Sequence, residues 1–298
     1  MLVLDKRKLA ILSLFIGPPI AVVTIFFVVP VALTILLAFT DMRITLEWRF
    51  TGLENFYKMM RYDPRVPIIV LNTAIYVPTA LAITIGLGLF IALASVYIGE
   101  RKGIVLRTIW FLPNIIPPVV YILLWKWFFD PTRYGFLNSL LSLTGGEPRA
   151  WLTEYALPIV IVVNALIGAS VCMVVFTSAI KSIPTDYLIA AQVDGASHLQ
   201  VVRYIILPLI KWPLMFMTAW HVPAHLNAYV YTLLLTDGGP YYRSEVWALY
   251  SYHRAFEYFE YGYGAAISTV LIAMNVIGIA ITWRIFGLKR MMELQGGG

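Results

Sequence analysis

The sequence predicts an all-α integral membrane protein of six transmembrane helices, and three observations carry that class. Of its 298 residues 60% are hydrophobic and only 13% charged, whereas a soluble domain carries roughly 25% charged residues. Six stretches are apolar over enough length for the helix of about 20 residues that crosses the hydrocarbon. Eleven of the 17 prolines lie inside those stretches: Pro18, Pro19, Pro30, Pro78, Pro113, Pro117, Pro118, Pro158, Pro208, Pro213 and Pro223. Aromatics at 14% and a single cysteine exclude disordered, collagen-like and disulfide-scaffold classes. The net charge of +6 is not clustered as a nucleic-acid surface requires, so no nucleic-acid partner is expected.

The spans follow in order as about 9–39, 68–98, 108–129, 156–180, 204–235 and 265–288, all within a single transmembrane domain, 1–298. The first is too long for a signal-peptide core and lacks a cleavage pattern behind it, so it reads as an anchor. An even number of spans puts both termini on one side. Lys and Arg are denser in the short loops of that side, which predicts cytoplasmic N- and C-termini. Trp125 and Trp127 beside Lys126 fit an interface belt at the end of the third span. Proline removes a backbone donor, and lipid offers no water to satisfy the carbonyl it frees. The kinked spans are therefore expected to lean on protein or line a wet cavity, as in a bundle that moves or transports.

The loop 181–205 carries the most specific signal. Pro184 can start a helix that Ala190, Ala191 and Val193 continue, and Gly195 permits a sharp turn that a Cβ would obstruct. A second short helix from Ser197 would lead into the span that Pro208 bends. Two short helices with a glycine elbow make a knob able to dock in a partner's groove and pass a rigid-body push to the spans on either side.

Ala190-Ala191, then Asp194-Gly195-Ala196, then Ile205, Leu207 and Pro208 resemble the EAA loop of permease subunits in binding-protein-dependent ABC importers. Leu235-Thr236-Asp237-Gly238-Gly239-Pro240 is similar to the TGGGP loop of the sugar-importing subfamily, the maltose-type and glycerol-phosphate-type first permease. Ala255-Phe256, Phe259, Gly262-Tyr263-Gly264-Ala265-Ala266 and Gly52-Leu53-Glu54-Asn55-Phe56 extend the resemblance over nearly the whole chain. It implies partners: a second permease, two ATP-binding subunits and an extracytoplasmic solute-binding protein received at loops 52–67, 130–155 and 237–262. It implies multi-pass insertion in a prokaryotic inner membrane, with surrounding lipid, and ATP and Mg held by the partners, leaving this chain without a cofactor or catalysis of its own. Tyr187, Leu188, Ile189, Ala190, Ala191, Asp194, Gly195 and Ala196 would contact the ATPase. The family's Glu at the head of the loop is Ile189 here, so docking is expected to be more apolar or the second permease to carry the Glu.

Polar residues inside spans default to function. Asn164, Gly168 and Cys172 recur at one helical face of the fourth span, and His221, His225 and Asn227 surround Pro223 in the fifth. In the resembled family the mid-membrane sugar site lies on these two helices. Counting outward from the loop places it near Asn164, Ile167, Gly168 and Val171, then His221, Ala224, His225 and Ala228. Gly168 would give a sugar ring room, while Asn and His would meet its hydroxyls. The near-absence of charge inside the spans favours a neutral sugar over a glycerol phosphate, with a polyol as the other alternative. A zinc-protease reading of His221 and His225 fails because Val222 stands where the general base is needed. No P-loop is present, an intramembrane enzyme would need a nucleophile–base pair at one depth, and a stand-alone channel or carrier would need charge inside the spans. Gly86 and Gly88 read as helix packing, Cys172 as an apolar packer, and Gly296-Gly297-Gly298 as a tail.

Overall fold

Apolar length and proline placement account for the elements of this chain, which a computed structural model describes from residue 6 to 287, with side chains from Leu14. The predicted span end Leu288 and the terminal glycines lie outside the described residues. Those residues are helical, in turns or in short irregular stretches, with one antiparallel bridge between Thr40 and Phe50. Among the described residues, four helices are long and apolar enough to cross a membrane, Leu14–Leu37, Val66–Tyr97, Ala156–Lys181 and Tyr261–Phe286. The predicted third and fifth spans differ from a straight helix. Each belongs to a bent pair, Glu100–Asn114 with Pro118–Phe128 at 97° and His198–Leu209 with Lys211–Leu226 at 70°. The reason is local: Pro113, Pro117 and Pro118 interrupt the donor ladder of the first pair, and Pro208 and Pro213 flank the break of the second.

Contacts group the chain into two compact units, residues 1–64 with 250–270 and residues 65–249 with 271–298. In the first, α1 (Lys6–Val23) continues through a wide turn, Thr24–Val28, into α2 (Val29–Leu37). The wide turn sits just before Pro30, where the helix lacks a donor. Asn55 fastens the end of α2 to the following loop by donating from Nδ2 to Ala38 O at 2.9 Å and Thr40 O at 2.8 Å. Asp63 is buried in a polar network in this unit. It accepts from Tyr263 Oη at 2.8 Å and Arg254 Nη2 at 3.1 Å, and from the Tyr250 hydroxyl. Arg254 also reaches Glu260 Oε2 at 3.0 Å, and Glu260 accepts from Lys58 Nζ at 3.3 Å. Burial, reinforced by the Asp63 hydrogen bond, raises the Tyr250 phenol above its usual range, so it stays a neutral donor.

The second unit is built on α3 (Val66–Tyr97), α4 (Glu100–Phe111), α5 (Pro118–Phe128) and α6 (Ala156–Lys181). There follow α7 (Thr185–Val193), α8 (His198–Val201), α9 (Lys211–Leu226) and α10 (Tyr229–Thr236). There remain α11 (Trp247–Tyr252), whose first residues belong to this unit, and α12 (Tyr261–Phe286), whose later turns do. α3 packs along α6, and α9 packs on both. At the end nearest α7, Glu100 accepts from Lys181 Nζ at 2.6 Å and Arg107 donates to Ser95 Oγ at 3.1 Å, which ties α4 to the ends of α6 and α3. Asn227 and Ala228 interrupt the helix between α9 and α10.

Candidate functional site

Two features of the second unit bear on function. The first is the knob formed by α7 and α8. Pro184 precedes α7 and Asp194 ends it. Gly195 then takes φ +74°, with Ala196 N–H donating to Ala191 O at 2.9 Å and Gly195 N–H to Gln192 O at 3.1 Å. These two bonds satisfy the last carbonyls of α7 in the arrangement that a left-handed residue after a helix permits. Ser197 caps α8, accepting from Gln200 N–H while Gln200 Oε1 accepts from Ser197 N–H at 2.7 Å. The Ser-x-x-Gln spacing announces this cap, a signal the reading of the loop passed over.

The knob has two faces. Ile183, Ala191 and Val201 are buried in one cluster with Phe176 and Ile180 of α6 and with Ile206 and Ile210, and Leu188 and Ala196 pack against it. Burying side chains of this kind is worth roughly 1.5–3 kcal/mol each for the larger ones, so the knob and the helix ends around it form one packed piece. On the other face Tyr187 is 56% exposed, Ile189 55% and Val193 82%. Ala190, Asp194 and Gly195 are exposed as well. Val193, a helix former by its place in the sequence, is the most open apolar side chain of α7.

The second feature is a polar cluster buried between α3, α6 and α9. Asn164 Nδ2 donates to the Tyr76 hydroxyl. Thr84 Oγ1 donates to Ala165 O at 3.3 Å and lies 3.1 Å from His225 Nε2. A hydroxyl has one proton, so with that proton on Ala165 O it accepts from His225 Nε2–H. His225 Nδ1 is then the lone-pair nitrogen, buried without a partner among the described residues. His221 donates from Nδ1 to Met217 O at 2.9 Å, and Cys172 Sγ lies 3.7 Å from the same nitrogen.

Sequence reasoning expected Asn164, Ile167, Gly168, Val171, His221, Ala224 and His225 to meet substrate. The structure brings Asn164, Gly168, His221 and His225 together, all buried, with Cys172 on the same face of α6. Ile167, Val171 and Ala228 are half-buried, and Ala224 stands exposed. The room expected beside Gly168 is already filled. A Cβ there would lie 2.8 Å from Thr84 Cγ2 and 3.2 Å from His221 Cδ2. Tyr76 and Thr84 of α3 were missed, although two polar side chains in an apolar span were a legible signal.

Residues 84–285 match the family described as binding-protein-dependent transport system inner membrane component. This chain belongs to that family. Among its relatives is a probable ABC transporter permease protein of Pyrococcus horikoshii, 30% identical over 261 residues, covering 85% of this chain and 88% of the relative. The diacetylchitobiose uptake system permease protein NgcF of Streptomyces coelicolor is 30% identical over 301 residues, covering 95% of this chain and 82% of that one. The fold is that of a chain from the crystal structure of a bacterial ABC transporter that imports the acidic polysaccharide alginate. There the TM-score is 0.81 at 24% identity, over 94% of this chain and 97% of that one. The family places the protein among inner-membrane transport subunits that depend on a binding protein, in accord with the spans described above.

Proposed function

We propose that this permease forms one half of the membrane path of an ATP-driven sugar importer and that its α7–α8 knob receives the push from an ATPase subunit. The observation that carries the proposal is the two-faced knob. Its inner face is locked into the helix ends by Ile183, Ala191 and Val201, and its outer face offers Tyr187, Ile189 and Val193 to a partner. A displacement of the outer face must therefore move α6 and the limb leading to α9, which is how a rigid-body switch between inward- and outward-open states would be driven. With Ile189 at the head of the loop, the contact is apolar, and the partner groove that fits it is lined by apolar side chains. The permease pairs with a second, similar permease and two ATP-binding subunits, with the knob and both termini on the cytoplasmic side. A solute-binding protein delivers the sugar from the other side.

A sugar is supported by the diacetylchitobiose relative and by the scarcity of charge inside the spans. Asn164, His221 and His225 act in this reading as the polar set behind the path, together with Tyr76 and Thr84. The test is reconstitution with the ATPase and binding-protein partners. Deleting residues 190–195 should abolish co-purification with the ATPase subunit and uptake of labelled sugar. Normal assembly and transport in that variant would refute the coupling role.

A further inference from the structure

The corner between α3 and α4 is built for close contact and is clasped to the root of the knob. Gly99, at φ +88°, turns the chain back, and a Cβ on Gly103 would fall 2.0 Å from Ser95 O, so α4 seats directly on the last turns of α3. Arg107 donates to Ser95 Oγ at 3.1 Å, and its Nη2 lies 3.5 Å from Glu100 Oε1. Glu100 accepts from Lys181 Nζ on both carboxylate oxygens, at 2.8 and 2.6 Å. Lys181 is the last residue of α6, and α7 starts at Thr185.

The far end of α4 is held to α6 as well. The helix runs on through a tight turn, Leu112–Asn114, where Asn114 Nδ2 donates to Ile167 O at 3.2 Å and to Ser170 Oγ. The two stretches between these attachments, Glu100 to Asn114 and Ile167 to Lys181, are matched in length at about 20 Å each. α4 is thus a strut laid antiparallel along the half of α6 nearest the knob, and the 97° bend into α5 begins only beyond Asn114. Asn114 is half-buried, whereas the Glu100 side chain is 63% exposed and that of Lys181 38%. An ion pair so open adds little to stability. What it fixes is position: two hydrogen bonds to one ammonium set the start of α4 against the end of α6, where the knob is rooted.

We propose that Lys181 and Glu100, with Arg107 behind them, are positioning residues that carry motion of the knob into α4. This rests on the reading of the knob as receiver of the ATPase push, and adds α4 to the two limbs which that reading moves. With α4 fastened at both ends, a displacement at Lys181 arrives at Asn114 and at the prolines of the bend, level with Ile167 and Gly168 of the buried cluster.

The test uses the importer assembled with its partner subunits in proteoliposomes and reads ATP hydrolysis with and without the solute-binding protein. Lys181→Met should reduce the stimulation about two- to fivefold, the scale of a partly exposed ion pair, with recovery of the ATPase subunits unchanged. Lys181→Arg keeps the charge and the paired donors and should retain the stimulation. Unchanged stimulation in Lys181→Met, equal loss in Lys181→Arg, or absence of the ATPase subunits from either complex would overturn the proposal, the last by making Lys181 a docking residue. A second variant replaces the clasp by a covalent link: Glu100→Cys with Lys181→Cys, read before and after a short bis-maleimide. The native Cys172 is buried and stays out of that reaction. Joining the two cysteines should restore the stimulation that the open pair lacks. Stimulation that stays low, or is blocked, after joining would show that α4 does not travel with α6. Failure of the knob reading shows separately, as normal assembly and transport after deletion of residues 190–195.

Discussion

Replacing Gly195 by valine isolates what the glycine elbow contributes to the coupling proposed for the knob. Its φ of +74° belongs to the left-handed region, while a Cβ built on it meets nothing within 4 Å. Steric exclusion by this chain is therefore absent, and the whole penalty is backbone strain. For a side chain forced into that region it amounts to about 1–2 kcal/mol, with a β-branched residue at the upper end. That range corresponds to about a 5- to 30-fold loss in the population of the docking-competent elbow. The apparent affinity for the ATPase subunit falls by up to the same factor. The assay is a titration of purified ATPase subunit onto the permease pair, with Gly195→Asn alongside, since asparagine tolerates the left-handed conformation. Asparagine should keep most of the affinity that valine loses. Equal damage from both substitutions would show that the partner excludes a Cβ at this position, and the strain argument would fail.

Three further outcomes follow from the buried contacts. Thr84→Val strands His225 Nε2–H in the bundle and should cost about 1–3 kcal/mol, read as a lowered thermal midpoint in detergent that Thr84→Ser largely restores. Gly168→Ala drives a Cβ to 2.8 Å from Thr84 Cγ2 and should cost about 1–3 kcal/mol by overpacking. A midpoint equal to that of the unaltered protein would show that the cluster is loose. Arg254→Met removes an arm of the buried network around Asp63 and should destabilise by about 3 kcal/mol. Adding Asp63→Asn should recover part of the loss, and a purely additive double variant would contradict direct coupling of the two residues.

The knob was legible from its sequence because its determinants are local. Pro184 starts a helix, Gly195 supplies the one backbone conformation that lets α7 end where it does, and each acts within a few residues. The polar cluster was half legible. The recurrence of Asn164, Gly168 and Cys172 marked one face of α6 correctly, and the structure puts that face against α3 and α9. Their partners Tyr76 and Thr84 lie more than eighty residues earlier in the chain, and nothing in either stretch announces the other. The two bends were foreshadowed by proline, yet angles of 97° and 70° depend on what each limb packs against.

By itself the sequence determined the membrane class, the apolar stretches and the prolines at which two of them bend, and the loop that carries the family's motif. Those follow from segment length, hydropathy, proline and glycine, all of which act along the chain. Only the tertiary structure decided which side of each helix is inside. In a soluble helix an apolar stripe would have given that away. Here lipid and helix interior are equally apolar, so the stripe is lost and helices associate by shape and hydrogen bonding. That is why His221 and His225 turn out to face α3 and α6, while Trp220 and Asn227, on the same stretch of chain, are the side chains left open.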